Sequence, residues 1–330
     1  MNINITEIAK RAGVSIATVS RALNNNGPVR EETRQKILRI AEEFNYKPNP
    51  IARSLYRKKT DTIGVILPEL VDEFFMDIIR GIDEEAYRSN QYVMVSSSHS
   101  QRNIVKTLLE FMSSGRVDGV ILMAPQMGDE LSELIEKNNR PLVLLNSGNT
   151  VSDAVCFNVN NYQGAFSVTE HLVNHGYKKI GIIQGPEGNC DADDRLRGFR
   201  DALKKNSIEL LPSLNIPGDF TEKSGYYGFM RLLSQPEKPE AIFATNDMMA
   251  LGAYSAARDS NVRIPQDVAV VGFDNVTISR LLTPRLTTVH VPIVELGTKA
   301  VRYLLTMING DVDPREPYRE ELTTGLVIGG

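Results

Sequence analysis

Residues 4–24 read NITEIAKRAGVSIATVSRALN, and this stretch predicts two short helices joined by a tight turn. Asn4 suits the cap of a first helix, with Glu7 placed to reach back in a capping box. Ile5, Ile8 and Ala9 form an apolar stripe at helical spacing. Gly13 ends that helix, and Ser15 is placed to cap a second one over residues 16–24, with Val19 and Leu23 facing inward. The pattern is a helix-turn-helix.

Working outward, a third helix is expected over residues 31–44, its buried side marked by Ile37, Ile40, Ala41 and Phe44. Glu31 and Glu32 suit its positive end. In a helix-turn-helix the second helix enters the major groove and shows its early residues to base edges. Here those are Ser15, Ile16, Ala17, Thr18 and Arg21. Arg21 can pair bidentately with guanine, whereas Ile16 and Ala17 can read only shape or thymine methyls. The plainer reading is a small helical bundle with solvated polar residues.

Charge weighs against the plainer reading. Met1 to Lys59 carries 12 Lys and Arg against 5 Asp and Glu, a balance of +7, which leaves −11 for the rest of a chain of net charge −4. A basic arm on an acidic body points to a nucleic-acid contact at one end. Residues 46–59 then read as a linker, or as a short basic helix capped by Asn49 with Pro50 in its first turn. Such a helix is too short to stand alone. It would order in a DNA minor groove with Leu55 as an apolar wedge.

From Thr60 onward, short β-rich runs alternate with amphipathic helices. Strands are expected at 62–67, 92–96, 119–123, 142–145, 179–183, 241–244 and 268–273. Helices are expected at 75–89, 102–113, 129–137, 195–204, 223–233 and 248–259. This alternation means an α/β parallel sheet, and its second start near Lys179 suggests two lobes around a cleft. Ligands in such sheets bind at the carboxyl ends of strands. Candidates there are Phe74 with its neighbour Phe75, Asn146, Arg195, Phe220, Asn246 and Asp274. Arginine can grip a carboxylate, a phosphate or hydroxyls, and Asp and Asn suit sugar hydroxyls. Taken singly, Phe74 and Phe220 read as core, Arg195 as a surface ion pair and Asn246 as a helix cap. Their joint placement favours a pocket.

The 330 residues and 36.7 kDa suit two or three folding units. With 42% hydrophobic and 24% charged residues the composition is that of a globular protein. No apolar run approaches a membrane span, and the N-terminus does not resemble a signal peptide. Two cysteines, Cys156 and Cys190, make no CxxC, which fits a reducing cytoplasm.

Enzyme motifs are scarce. His171 and His175 lie four apart on a helix, but His175 followed by Gly176 reads as a helix end. Gly185 to Gly188 is neither a Walker loop nor a GxGxxG fingerprint. Asp191, Asp193 and Asp194 lack EF-hand spacing and read as a solvated loop or pocket rim. No GxSxG is present, and the sequence calls for no metal or cofactor.

Residues 5–55, ITEIAKRAGVSIATVSRALNNNGPVREETRQKILRIAEEFNYKPNPIARSL, resemble the DNA-binding headpiece of the lactose-repressor/galactose-repressor (LacI/GalR) family. The similarity extends through the body, at DRLRGF around Arg195, GDF at Phe220, ATNDMMALG at Asn246 and Asp247, and VGFDN at Asp274. The resemblance implies a headpiece over residues 1–47, a hinge helix over 48–59 and a periplasmic-binding-protein-like core over 60–330. The core would cross between lobes near 158, 289 and 319. Its first lobe would span about 60–157 and 290–318, its second about 159–288 and 320–330. Residues 16, 17 and 21 would read bases, Ser15 and Thr18 would position the helix, and Leu55 would intercalate. Asn24 and Ala52 would join the DNA-contacting set. Arg30 departs from the pattern, standing where many relatives cap the third helix with serine, and Asn146 stands where many sugar-binding relatives have aspartate.

The expectation is a cytoplasmic, ligand-responsive transcriptional repressor acting as a homodimer on a near-palindromic operator. Its effector would be a small molecule, a carbohydrate first, with purines and sugar phosphates behind it. No C-terminal leucine heptad suggests a tetramer. The rivals are a sugar-binding protein and a sugar-processing enzyme, each without DNA function.

Overall fold

The computed structural model describes residues 4–23, 27–46, 59–68, 70, 72–97, 104–148 and 154–329. The chain divides into two units, Met1–Thr60 and Asp61–Gly330.

The first unit holds helices α1 (Ile5–Ala12), α2 (Ile16–Leu23) and α3 (Glu31–Glu43). Asn4 caps α1 by accepting from the Glu7 amide at 3.0 Å. The capping box is only half made, because the Glu7 carboxylate turns to Arg11 at 3.0 Å. Gly13 closes α1 in the left-handed region at φ 71°, which costs glycine little. Ser15 Oγ accepts from the Thr18 amide and so caps α2. Arg30 precedes α3 without a side-chain cap. Ile8, Ala9, Ala12, Val19, Ala22, Ile37 and Ala41 form the small core. Phe44 is half-buried, with the Arg11 guanidinium 4.2 Å above its ring.

The second unit begins with β1 (Thr62–Leu67), α4 (Glu73–Arg88), β2 (Tyr92–Ser97), α5 (Ile104–Ser113), β3 (Gly119–Met123), α6 (Asp129–Glu136), β4 (Leu142–Leu145) and β5 (Val155–Val159). A second run follows: α7 (Asn161–Asn174), β6 (Ile180–Ile183), α8 (Cys190–Lys205), β7 (Asn215–Ile216), α9 (Glu222–Leu233), β8 (Ala241–Ala244), α10 (Asp247–Asp259), β9 (Ala269–Val271) and α11 (Thr277–Leu281). The chain closes with β10 (Thr288–His290), α12 (Ile293–Asn309), β11 (Tyr318–Leu322) and β12 (Gly325–Val327).

One sheet has the order β11-β5-β4-β3-β1-β2 and the other β7-β6-β8-β9, while β10 and β12 form a separate ribbon. Pairing in both larger sheets is parallel. Strands β1, β3, β4, β6 and β8 are buried almost throughout, as continuous apolar runs covered by helices should be.

Chain passes between the two lobes after β5, after β10 and after β11. The third passage falls after Leu322, later than the expected 319, because Arg319 to Leu322 pair in register with Cys156 to Val159. That strand, YREEL, is largely exposed, so it carries no apolar signal. Helix α12 returns to the first lobe and packs on α4. There a Cβ on Gly81 would lie 2.1 Å from the Val294 carbonyl oxygen, so only glycine lets the two backbones come this close.

Candidate functional site

In the first unit, α2 divides cleanly. Val19 and Ala22 are buried, while Ser15, Ile16, Ala17 and Arg21 are exposed and Thr18 is half-buried. Ile16 is 46% exposed, although a core this small gains from every apolar side chain it covers. The Ser15 and Thr18 hydroxyls lie 2.9 Å apart and fix the start of the helix. The structure therefore places Ser15, Ile16, Ala17 and Thr18 at the start of α2 and Arg21, also exposed, in its last turn. Asn24, Ala52 and Leu55 lie outside the described residues.

In the second unit, a cavity of about 450 Å³ opens at the carboxyl ends of strands from both sheets. The first lobe supplies Pro68 after β1, Phe74 and Phe75 in the first turn of α4, and Met123 and Pro125 at the end of β3. The two phenylalanine rings meet edge to face at 5.6 Å. The second lobe supplies Asp191 and Arg195 from α8, Phe220 before α9, Asn246 after β8 and Asp274 after β9.

A polar chain stands behind the second-lobe wall. Arg195 Nε donates to Asn161 Oδ1 at 2.8 Å and Nη1 to the Thr245 carbonyl at 2.6 Å. Nη2 lies 3.2 Å from Asp274 Oδ1. The guanidinium carbon sits 3.9 Å from the Phe273 ring centre and 5.4 Å from that of Phe220. Asn161 Nδ2 donates to one oxygen of Asp191 at 2.9 Å, and Asn146 Nδ2 from the first lobe donates to the other at 3.0 Å. Burial pushes the Asp191 carboxyl up to about 6, against the opposing pull of Arg195. Burial likewise pushes Asp274 up to about 7, with Asp72 and Asp191 adding to the rise. Behind Asp274, Asp247 is held by Thr288 Oγ1 at 2.6 Å and the Val276 amide at 3.0 Å. Burial sets its carboxyl well above the usual range.

Backbone geometry is unusual at the same wall. Phe220 has φ 69° and Asp274 has φ 108°, a region that bulky side chains seldom enter. Such residues concentrate at ligand sites. The Phe220 ring is seated over Gly185, where a Cβ would lie 2.3 Å from Cζ. Asn246 fills both roles weighed for it. Its Oδ1 caps α10 through the Met249 amide, its Nδ2 donates to the Phe220 carbonyl, and the residue lines the cavity.

Asn146 is the sequence-predicted candidate that does not line the cavity. It is buried behind Asp191, with φ 44°. Asp191, expected with its neighbours in a solvated loop or pocket rim, stands in the buried wall of the cavity. Asn189 accepts from the Asp191 and Ala192 amides, so α8 starts at Cys190 rather than Arg195 and carries Asp191 into a buried first turn. Asp193 stays exposed and Asp194 half-buried. The cap at Asn189 was the available signal. Asp72, Gln126, Asp219, Thr221 and Glu222 also line the cavity without having been singled out. Away from the cleft, His175 closes α7, its Nδ1 lying 2.8 Å from the His171 carbonyl oxygen.

Residues 4–49 match the bacterial regulatory proteins of the lacI family, and residues 169–330 match the periplasmic binding protein-like domain. Catabolite control protein A of Priestia megaterium is 34% identical over 310 residues, covering 94% of this chain and 93% of its own. The chain belongs to the LacI family. A second LacI-family relative, the HTH-type transcriptional repressor PurR of Edwardsiella ictaluri, is 35% identical over 98% of both chains. The lac repressor dimer bound to operator and the anti-inducer ONPF superposes with a TM-score of 0.87, at 29% identity over 100% of this chain and 98% of that one. A transcriptional regulator CelR–cellobiose complex gives 0.75 at 28% identity over 99% of both. As a LacI-family protein the chain is a ligand-responsive, DNA-binding transcriptional repressor and not an enzyme. Among the described residues no helix is long and apolar enough to cross a membrane.

Proposed function

We propose that this repressor works in the cytoplasm as a homodimer on a near-palindromic operator, with a carbohydrate in the cleft between its lobes controlling the affinity. The observation that carries the ligand reading is the make-up of the cavity. Aromatic residues from both lobes, Phe74, Phe75 and Phe220, line it together with buried Asp191, Arg195, Asn246 and Asp274. Aromatic faces cover the C–H surface of a sugar ring, and the polar groups fix its hydroxyls. The neighbour that carries cellobiose supports the same reading.

Residues 1–47 form the DNA-binding headpiece, 48–59 the hinge and 60–330 the effector core. The exposed start of α2 enters the major groove. Arg21 reads guanine, Ile16 and Ala17 read shape or methyl groups, and Ser15 and Thr18 position the helix. Asn24, Ala52 and Leu55 complete the DNA contacts. Effector binding changes the closure of the lobes and, through the first lobes of the dimer, the order of the hinge.

Two experiments test this. A thermal-shift panel of sugars and nucleobases on the full chain should find a sugar that adds about 2.7 kcal/mol at about 100 times its dissociation constant, and a blank sugar panel removes the carbohydrate reading. Arg21→Ala should cost about 1–3 kcal/mol at one operator base pair. Equal weakening on every DNA sequence removes the base-reading role.

A further inference from the structure

The charge of the cleft narrows its ligand further. Among the described residues, the cavity is lined by five carboxylates, Asp72, Asp191, Asp219, Glu222 and Asp274, and by one cation, Arg195. That cation is already committed to Asn161, the Thr245 carbonyl and Asp274, and only 4% of the residue is exposed. Its charge is offset at 3.2 Å by Asp274. Asp274 Oδ1 faces that guanidinium, and the residue is 95% buried in the cavity wall.

We infer that the cleft selects an uncharged or amino sugar and rejects its phosphorylated or acidic derivatives. This inference rests on the carbohydrate reading above. An anion entering the cavity meets carboxylates from both lobes with no uncommitted cation among the described wall residues. Water screens the repulsion least at buried Asp191 and Asp274, while Asp219 and Glu222 stand exposed at the cavity. A hydroxyl or an ammonium, by contrast, brings donors that the wall carboxylates can accept. The apolar first-lobe wall of Pro68, Phe74 and Met123 offers an anion no compensation.

The test titrates the full chain with matched sets: glucose, galactose, ribose and cellobiose as neutral members, their phosphates and uronic acids as anions, and glucosamine and galactosamine. At least one neutral or amino member should bind, with its anionic counterpart at least about tenfold weaker. An anion that binds more tightly than its parent overturns the inference and leaves the carbohydrate reading standing. A panel in which nothing binds overturns the carbohydrate reading, and this inference with it. Glu222→Gln, on the exposed first turn of α9, should narrow the parent-to-anion ratio several-fold, while an unchanged ratio overturns the assignment of the discrimination to the wall carboxylates. Each ratio is measured within one protein, so a folding defect does not imitate it.

Discussion

The two walls of the cleft are built differently. The first lobe presents Pro68, Phe74, Phe75, Met123 and Pro125, a largely apolar face. The second presents Asp191, Arg195, Asn246 and Asp274, tied by hydrogen bonds into Asn161, Thr245 and Phe220. A networked polar wall holds its shape before ligand arrives and so decides which ligand fits. An apolar wall has no preferred direction of contact and gains by covering whatever is bound. In the effector reading proposed above, the second lobe is the template and the first is the cover.

The sharpest way to break that contrast is Arg195→Ala. Removing the guanidinium leaves Asp274 and Asn161 buried without their partner, and the second unit should lose about 3–5 kcal/mol. A denaturant midpoint close to wild type would mean the wall is not a network. A smaller effect is expected from the cover. Phe74→Ala should weaken the effector by about 1–2 kcal/mol, roughly half of a full aromatic burial, while leaving the unliganded midpoint near wild type. Calorimetry on the liganded and free protein separates the two.

The same wall can also be tested by pH. Asp274 and Asp191 titrate at about 7 and about 6 in the folded chain, and an unfolded aspartate titrates at about 3.9. The folded state therefore binds more protons between about pH 4 and about pH 7, and stability falls as pH rises through that window. Unfolding midpoints taken at about pH 5.5 and about pH 8 should show the fall. Asp274→Asn should flatten it, and an unchanged slope would place the titrating group elsewhere.

Much of this was legible in the sequence because it is local. Strands such as TIGVIL, GVILM and AIFA announce themselves as unbroken apolar runs, and α1 to α3 follow from caps and stripes. Six of the seven expected effector residues line one cavity. What was not legible depends on partners far apart in the chain. Asn146 finds Asp191 across the cleft at a separation of 45 residues, so its place behind the wall cannot be read from its own neighbours. Asp191 sits among acids that resemble a solvated loop until the cap at Asn189 is seen. Pro68 and Met123 of the apolar wall were missed for the opposite reason, since at strand ends they look like any core residue.

Three separate strands of chain join the lobes, and β10 pairs antiparallel with β12 across Thr288–Val327, Val289–Leu326 and His290–Gly325. A single tether would leave the lobes free to swivel. Several tethers side by side act as a door hung on several pins, stiff in torsion and compliant in one swing. Such a hinge would confine lobe movement to nearly one coordinate, and in the mechanism proposed above the occupant of the cleft would set how far the door stands open.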